Sequence, residues 1–181
     1  MKKKFIIATI SLTAAFIVSL VVYSCNRISP LLSLCITLGT FTYHFLMRLA
    51  VGTVINIVMN NKADPSMPWF SPKSFEKKLY RLLRVRRWKA GIPTYDPSLF
   101  SAEKHSYEEI AGAMCQAEVV HEVIMLLSFV PVLFIIPFGS PAVFIITSVL
   151  AALYDSLFVI LQRYNRPKIL RLIKHQKRSK S

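Results

Sequence analysis

Apolar residues in this chain fall into four long runs, at about residues 4–25, 31–59, 123–138 and 141–161, with short polar breaks between all but the middle two. A helix needs about twenty such residues to cross a bilayer core. The pattern predicts an all-α integral membrane protein with about four transmembrane helices, in a single membrane domain over residues 1–181. The last two runs are parted only by Gly139-Ser140, and Pro131 and Pro137 interrupt the third. A kinked third span and a re-entrant hairpin from Val123 to Leu161 both fit that pattern.

Residues 60–122 follow a different rhythm, which predicts two cytoplasmic amphipathic helices. Ser71-Pro72 has the form of an N-cap and a first-turn proline; beyond it Phe75, Leu79, Leu82 and Leu83 recur at helical spacing among Lys77, Lys78, Arg81, Arg84 and Arg86. Such a basic amphipathic helix suits a membrane face, with Trp69 and Trp88 at headgroup depth. Its cations Arg84, Arg86, Arg87 and Lys89 are also candidates to hold a phosphorylated donor. A second helix is expected from the capping box Ser106-x-x-Glu109, where hydroxyl and carboxylate satisfy the open N–H groups of the first turn.

Composition settles the solvent. With 54% hydrophobic residues in 181 positions and a mean hydropathy of +0.46, the chain is too apolar for a soluble domain of its size. Lys and Arg number 23 against 9 Asp and Glu, a net charge of +14, and their placement is uneven. Lys2, Lys3 and Lys4 precede the first run, ten lie from Lys62 to Lys104, and eight follow Leu161 in the basic tail 162–181. By the positive-inside rule both termini and the central segment are cytoplasmic in a multi-pass membrane protein. These cations flank apolar runs, so anionic lipid headgroups are the expected partner and nucleic acid is not. The first run has a basic start but no small-x-small cleavage pattern before Cys25, and it reads as a retained anchor. Cys25, Cys35 and Cys115 form no CxxC pair, which argues against a zinc ribbon or a disulfide framework.

Polar residues inside the runs carry the chemistry. Thr40, His44, Arg48, Gly52 and Asn56 follow one another at four-residue steps on one face of the second span. An arginine at a span centre costs about 3 kcal/mol on insertion scales, so Arg48 needs a partner. Asp155 is the sole acid in a predicted span and lies at a matching depth, which predicts a charge pair in an intramembrane polar network of His44, Arg48, Asn56 and Asp155. Ser148, Asp155 and Gln162 share a face of the fourth span.

On the second amphipathic helix the stripe Tyr107, Ile110, Met114 continues into Glu118, His121 and Met125. At i, i+3 spacing Glu118 can fix the His121 tautomer, an arrangement suited to a general base. A structural pair accounts for the same two residues equally well. Half of a di-metal carboxylate site is a third reading, but such sites use two Glu-x-x-His motifs and the chain has one, so no metal is expected.

Where the last run meets the basic tail, Gln162-Arg163-Tyr164-Asn165-Arg166-Pro167 packs four polar side chains and an interfacial tyrosine into about one turn. This block, the block Phe75 to Lys89 ending Val85-Arg86-Arg87-Trp88-Lys89, and Ala117-Glu118-Val119-Val120-His121 together resemble the glycosyl-4,4'-diaponeurosporenoate acyltransferases. The resemblance covers roughly the C-terminal two thirds of the chain. It implies transfer of a fatty acyl group to the sugar hydroxyl of a glycosylated carotenoid or related glycolipid. Catalysis would fall to His121 with Glu118, and substrate binding to Gln162, Arg163, Tyr164, Asn165 and Arg166 with Arg87, Trp88 and Lys89. No bound cofactor is expected; the acyl donor, whether acyl-CoA, acyl carrier protein or a lipid, is a co-substrate, and the partners are membrane lipids and a glycosylated lipid-soluble acceptor. No His-x-x-x-x-Asp motif, Gly-x-Ser-x-Gly elbow or Gly-rich phosphate loop is present. The alternative from another class is a noncatalytic membrane adaptor or lipid-binding protein that docks a partner enzyme.

Overall fold

The computed structural model describes residues 2–180, which are helical and without strands. Seven α-helices follow one another: α1 Lys2–Asn26, α2 Ser29–Met59, α3 Glu76–Leu82, α4 Val85–Trp88, α5 Tyr107–Leu127, α6 Ile135–Phe138 and α7 Pro141–Lys180. Four stretches, Lys2–Asn26, Ser29–Met59, Tyr107–Phe138 and Pro141–Ser179, are long and apolar enough to cross a membrane. The chain divides into two compact units, one of Met1–Gly52 with Val123–Asp155 and one of Thr53–Glu122 with Ser156–Ser181.

In the first unit α1 lies against α2. Phe5 stacks on Phe45 with ring centroids 4.9 Å apart, and Gly39 admits the Phe16 ring so closely that a Cβ there would sit 2.9 Å from it. Gly52, on the same helix, has open space where a side chain would stand, so it marks no close helix crossing. The Tyr43 hydroxyl donates to the Leu127 carbonyl at 2.8 Å, satisfying one of the open carbonyls at the end of α5. Beyond that point the third apolar run is interrupted: a 3₁₀ turn at Val130–Phe134 and the short α6 replace a continuous helix. Pro131 has no N–H to give to an α-helical ladder, and the 3₁₀ turn takes it in its first positions.

The second unit begins with the end of α2 held on α5. The chain reverses through Asn60 and Asn61, both at positive φ (44° and 55°), a conformation asparagine tolerates better than most residues. Gln116 of α5 then ties the reversal down. Its Oε1 accepts from the Asn61 N–H at 2.6 Å, and its Nε2 donates to Asn56 Oδ1 at 3.1 Å. Gly112, one turn earlier, lies so near the Asn61 carbonyl that a Cβ would be 2.5 Å from a backbone oxygen. The capping box at the start of α5 is present as the spacing predicts: Glu109 Oε2 accepts from the Ser106 N–H, and Ser106 Oγ accepts from the Glu109 N–H.

One expectation is corrected in this unit. The basic helix does not begin at Ser71; Ser71 is extended (φ −66°, ψ 138°) and closes a 3₁₀ turn over Pro68–Phe70, so the helix starts at Glu76. An N-cap residue is itself extended, so the Ser71 conformation suits a cap; but residues 72–75 form no helical turn behind it, and the Ser71 carbonyl accepts from Arg163 instead. The helix also ends early. Arg84 adopts a left-handed conformation (φ 50°, ψ 41°) that separates α3 from α4, and Phe75 and Leu82 of the expected stripe are 60% and 79% exposed. Beyond the last apolar residues, α7 continues through the polar block with Pro167 inside it. Proline removes one helical hydrogen bond and crowds the carbonyl four residues back. Side chains flanking Pro167 hold the helix in place there, as described next.

Candidate functional site

Glu118 and Arg166 are the largest charged side chains that the fold buries completely, 0% and 2% exposed. They form one cluster. One oxygen of Glu118 pairs with Arg163 and the other with Arg166, both from α7. Arg163 also donates through Nε to Glu76 Oε1 of α3 at 2.8 Å. The Pro68–Ser71 turn completes the arrangement with backbone carbonyls: Trp69 and Ser71 accept from Arg163 at 3.2 and 3.0 Å, and Phe70 accepts from Arg166 at 2.7 Å. The Phe70 ring lies against the Arg166 guanidinium, 5.1 Å from centroid to carbon.

Two carboxylates and two guanidiniums leave this clasp with no net charge, and planar guanidinium forks match carboxylate pairs and turn carbonyls together. A buried charge is tolerated only when it is paired and hydrogen-bonded, and here both conditions hold. The same contacts explain why α7 survives Pro167: the residues one and four positions before it are pinned. Tyr164 adds a contact across the proline, with Lys168 Nζ 4.2 Å from its ring centroid.

Glu76 was not foreseen as a site residue, although it is the only acid from Lys73 to Lys89 and so stood out among cations. Burial by itself would raise its carboxyl pKa. A 2.8 Å hydrogen bond from Tyr80 and the Arg163 guanidinium outweigh that and hold it below the usual carboxylate range. Tyr80 in turn is pushed above its ordinary value, first by burial and then by Glu76. Gln116 was missed as well, because a lone glutamine on a helix gives no pattern to read.

His121 is half-buried and stacks face to face on Phe158, with centroids 4.4 Å apart and planes 10° from parallel. The stack fixes the ring plane, and the two Glu118 oxygens pair with the arginines. One residue on, Glu122 accepts a hydrogen bond from the Trp69 indole at 2.9 Å. Among the other expected substrate-binding residues, Gln162 is buried, Asn165 Oδ1 accepts from Lys89 Nζ at 3.3 Å, and Trp88 donates its indole N–H to the Leu83 carbonyl at 2.8 Å. Arg87 borders two concavities. One, of about 920 Å³, is lined otherwise by Lys77, Tyr80, Arg81, Arg84, Arg86 and Tyr164; a smaller one is lined by Trp88, Gly91, Ile92, Pro93 and Leu157.

The expected intramembrane residues divide between the two units. In the first, Arg48 pairs with Asp155 and donates to the His44 carbonyl at 3.1 Å, while neither ring nitrogen of the buried His44 has a hydrogen-bond partner among the described residues. Asn56 belongs to the second unit and bonds Gln116. Among the described residues no group of three His, Cys, Asp or Glu side chains is placed to hold a metal ion.

Residues 66–175 match the model of a protein family described as glycosyl-4,4'-diaponeurosporenoate acyltransferase. No curated protein and no solved structure matches the chain. The matched stretch contains the whole clasp, His121 and both concavities.

Proposed function

Because the chain belongs to the glycosyl-4,4'-diaponeurosporenoate acyltransferase family, we propose that it esterifies the sugar hydroxyl of a glycosylated carotenoic acid with a fatty acyl group. The observation that carries the reading to particular atoms is His121, half-buried on α5 and clamped against Phe158 next to a charge-neutral clasp. A general base needs a ring held in a fixed plane within reach of the proton it takes. The sugar oxygen attacks the acyl carbonyl carbon as its proton passes to a ring nitrogen of His121. The bond from that carbon to the donor's leaving group then breaks, and the proton is returned to the leaving group.

In this reading Glu118, Arg163 and Arg166 are positioning residues that set α5 against α7, and Tyr164, Asn165 and Lys89 remain available to sugar or donor. Both chain ends face the cytoplasm of a bacterial cell, supported by the distribution of basic residues. Donor and acceptor are both amphiphiles that partition into lipid.

The test is mass spectrometry of lipid extracts from cells making the protein and supplied with a glycosylated carotenoid acid. Wild-type cells should accumulate the acyl ester. His121→Ala should lower its rate about a hundredfold or more with unchanged amounts of membrane-inserted protein. Full product from His121→Ala would remove the base from the mechanism, and no ester from purified wild type would return the noncatalytic adaptor to first place.

A further inference from the structure

Arg163 and Arg166 spend their donors inside the protein, so an anionic substrate must be recognised by other cations. Five of them, Lys77, Arg81, Arg84, Arg86 and Arg87, surround the larger concavity, and none of the residues lining it is acidic. Lys77 and Arg81 stand one turn apart on α3, and Arg86 and Arg87 belong to α4. The left-handed residue Arg84 joins the two helices, so that cations from both line one hollow. A solvated basic face would spread these charges over a convex surface.

Excess positive charge extends to the groove's edge. Lys89 and Lys168 both approach the ring of Tyr164, which lines the groove, at 5.3 and 4.2 Å from its centroid. Lys89 holds its proton less tightly than usual, first because of burial and then because of Lys168, the mark of cations crowded without an anion. Arg87 also borders the second, smaller hollow, whose other walls include Trp88, Ile92, Pro93 and Leu157. A cation-lined hollow and an apolar trough thus meet at one side chain.

We propose that this groove binds the acyl donor as a fatty-acyl thioester of coenzyme A. The five cations take its nucleotide phosphates, Tyr80 and Tyr164 with the arginine faces meet the adenine, and the acyl chain runs past Arg87 along Trp88 and Leu157. Arginine suits both tasks, forking onto phosphate oxygens and stacking on flat rings. The inference rests on the acyl-transfer reading for its purpose, but its binding step stands on charge and shape alone.

The experiment measures binding to the purified full chain in uncharged detergent, by titration with a long-chain acyl-CoA and competition with unacylated coenzyme A. The double variant Arg81→Gln, Arg86→Gln, at two exposed positions, should weaken binding about tenfold or more. Lys104→Gln, outside the groove, should leave it unchanged, and Arg81→Lys should fall between the two, since lysine keeps the charge but not the fork. Equal thermal unfolding midpoints confirm that the variants are folded. Acyl-CoA binding that is absent, or indifferent to the double variant, overturns the proposal. Capture of phosphatidylglycerol vesicles that coenzyme A does not compete away does so too, making the groove a lipid contact. Ester formation from a phospholipid or acyl-carrier-protein donor without acyl-CoA binding would overturn this inference and leave the acyltransferase standing. Acyl-CoA binding without any transfer would do the reverse.

Discussion

In the first unit one guanidinium meets one carboxylate, Arg48 on Asp155, on parts of α2 and α7 that carry no other charge. In the second, Glu76, Glu118, Arg163 and Arg166 interlock with three consecutive turn carbonyls. A single ion pair in an apolar setting can be replaced by two apolar residues of similar volume at little or no loss. An interlocked cluster resists such exchange, because each member satisfies several others and removal of one weakens the rest. The first arrangement holds two helices together. The second holds three helices and a turn at fixed positions, which is what a site built from several chain segments requires.

The largest expected effect is that of Glu118→Ala, which leaves the buried Arg166 guanidinium without a carboxylate and removes one of the two that pair with Arg163. It should cost about 3–5 kcal/mol, read as a collapse in monodisperse yield and thermal stability in detergent. A variant as stable as wild type would show the clasp to be dispensable and the comparison false.

Paired replacement sharpens the contrast. Asp155→Leu should cost about 3 kcal/mol, and adding Arg48→Leu should recover stability to within about 1 kcal/mol of wild type. Glu118→Leu with Arg166→Leu should stay well below wild type, since Arg163 loses one of its two carboxylates and the Phe70 carbonyl loses its donor. Equal recovery in the two doubles would mean that the clasp is only two independent ion pairs.

The smallest effect belongs to Tyr80→Phe, which removes one hydrogen bond to Glu76 at a cost of about 1 kcal/mol. It carries a pH signature. Glu76 is held below its ordinary value of 4.5 in the folded protein, so its stabilisation is present above that value and fades as pH falls through the depressed one. Melting temperature recorded from neutral to acid pH should fall below about pH 4.5 in wild type. The fall should shrink in Tyr80→Phe and vanish in Glu76→Gln.

Sequence and structure divide the molecule along recognisable lines. The four apolar stretches were legible because bilayer thickness imposes a length that no tertiary contact can change. The Ser106–Glu109 cap was legible because both partners lie in one turn, and the Arg48 partner because a charge in an apolar span needs one and a single acid was on offer. The basic stretch after Ser71 was misread: N-cap preference and helical spacing are weak local terms, and the Pro68–Ser71 turn is shaped by the guanidiniums it caps.

Composition, periodicity and charge placement by themselves determined a helical chain with four membrane-length apolar stretches, an asymmetric basic charge, and the residue blocks that resemble its family. Tertiary structure alone decided what the ionisable residues do. Glu118, three positions before His121, has its oxygens on arginines more than forty residues away, and the arginines of the polar block face inward while those of α3 and α4 line an open groove. Local spacing states which side chains share a face. Only the fold states which charges are desolvated together, and burial makes those pairings too costly to leave unmade.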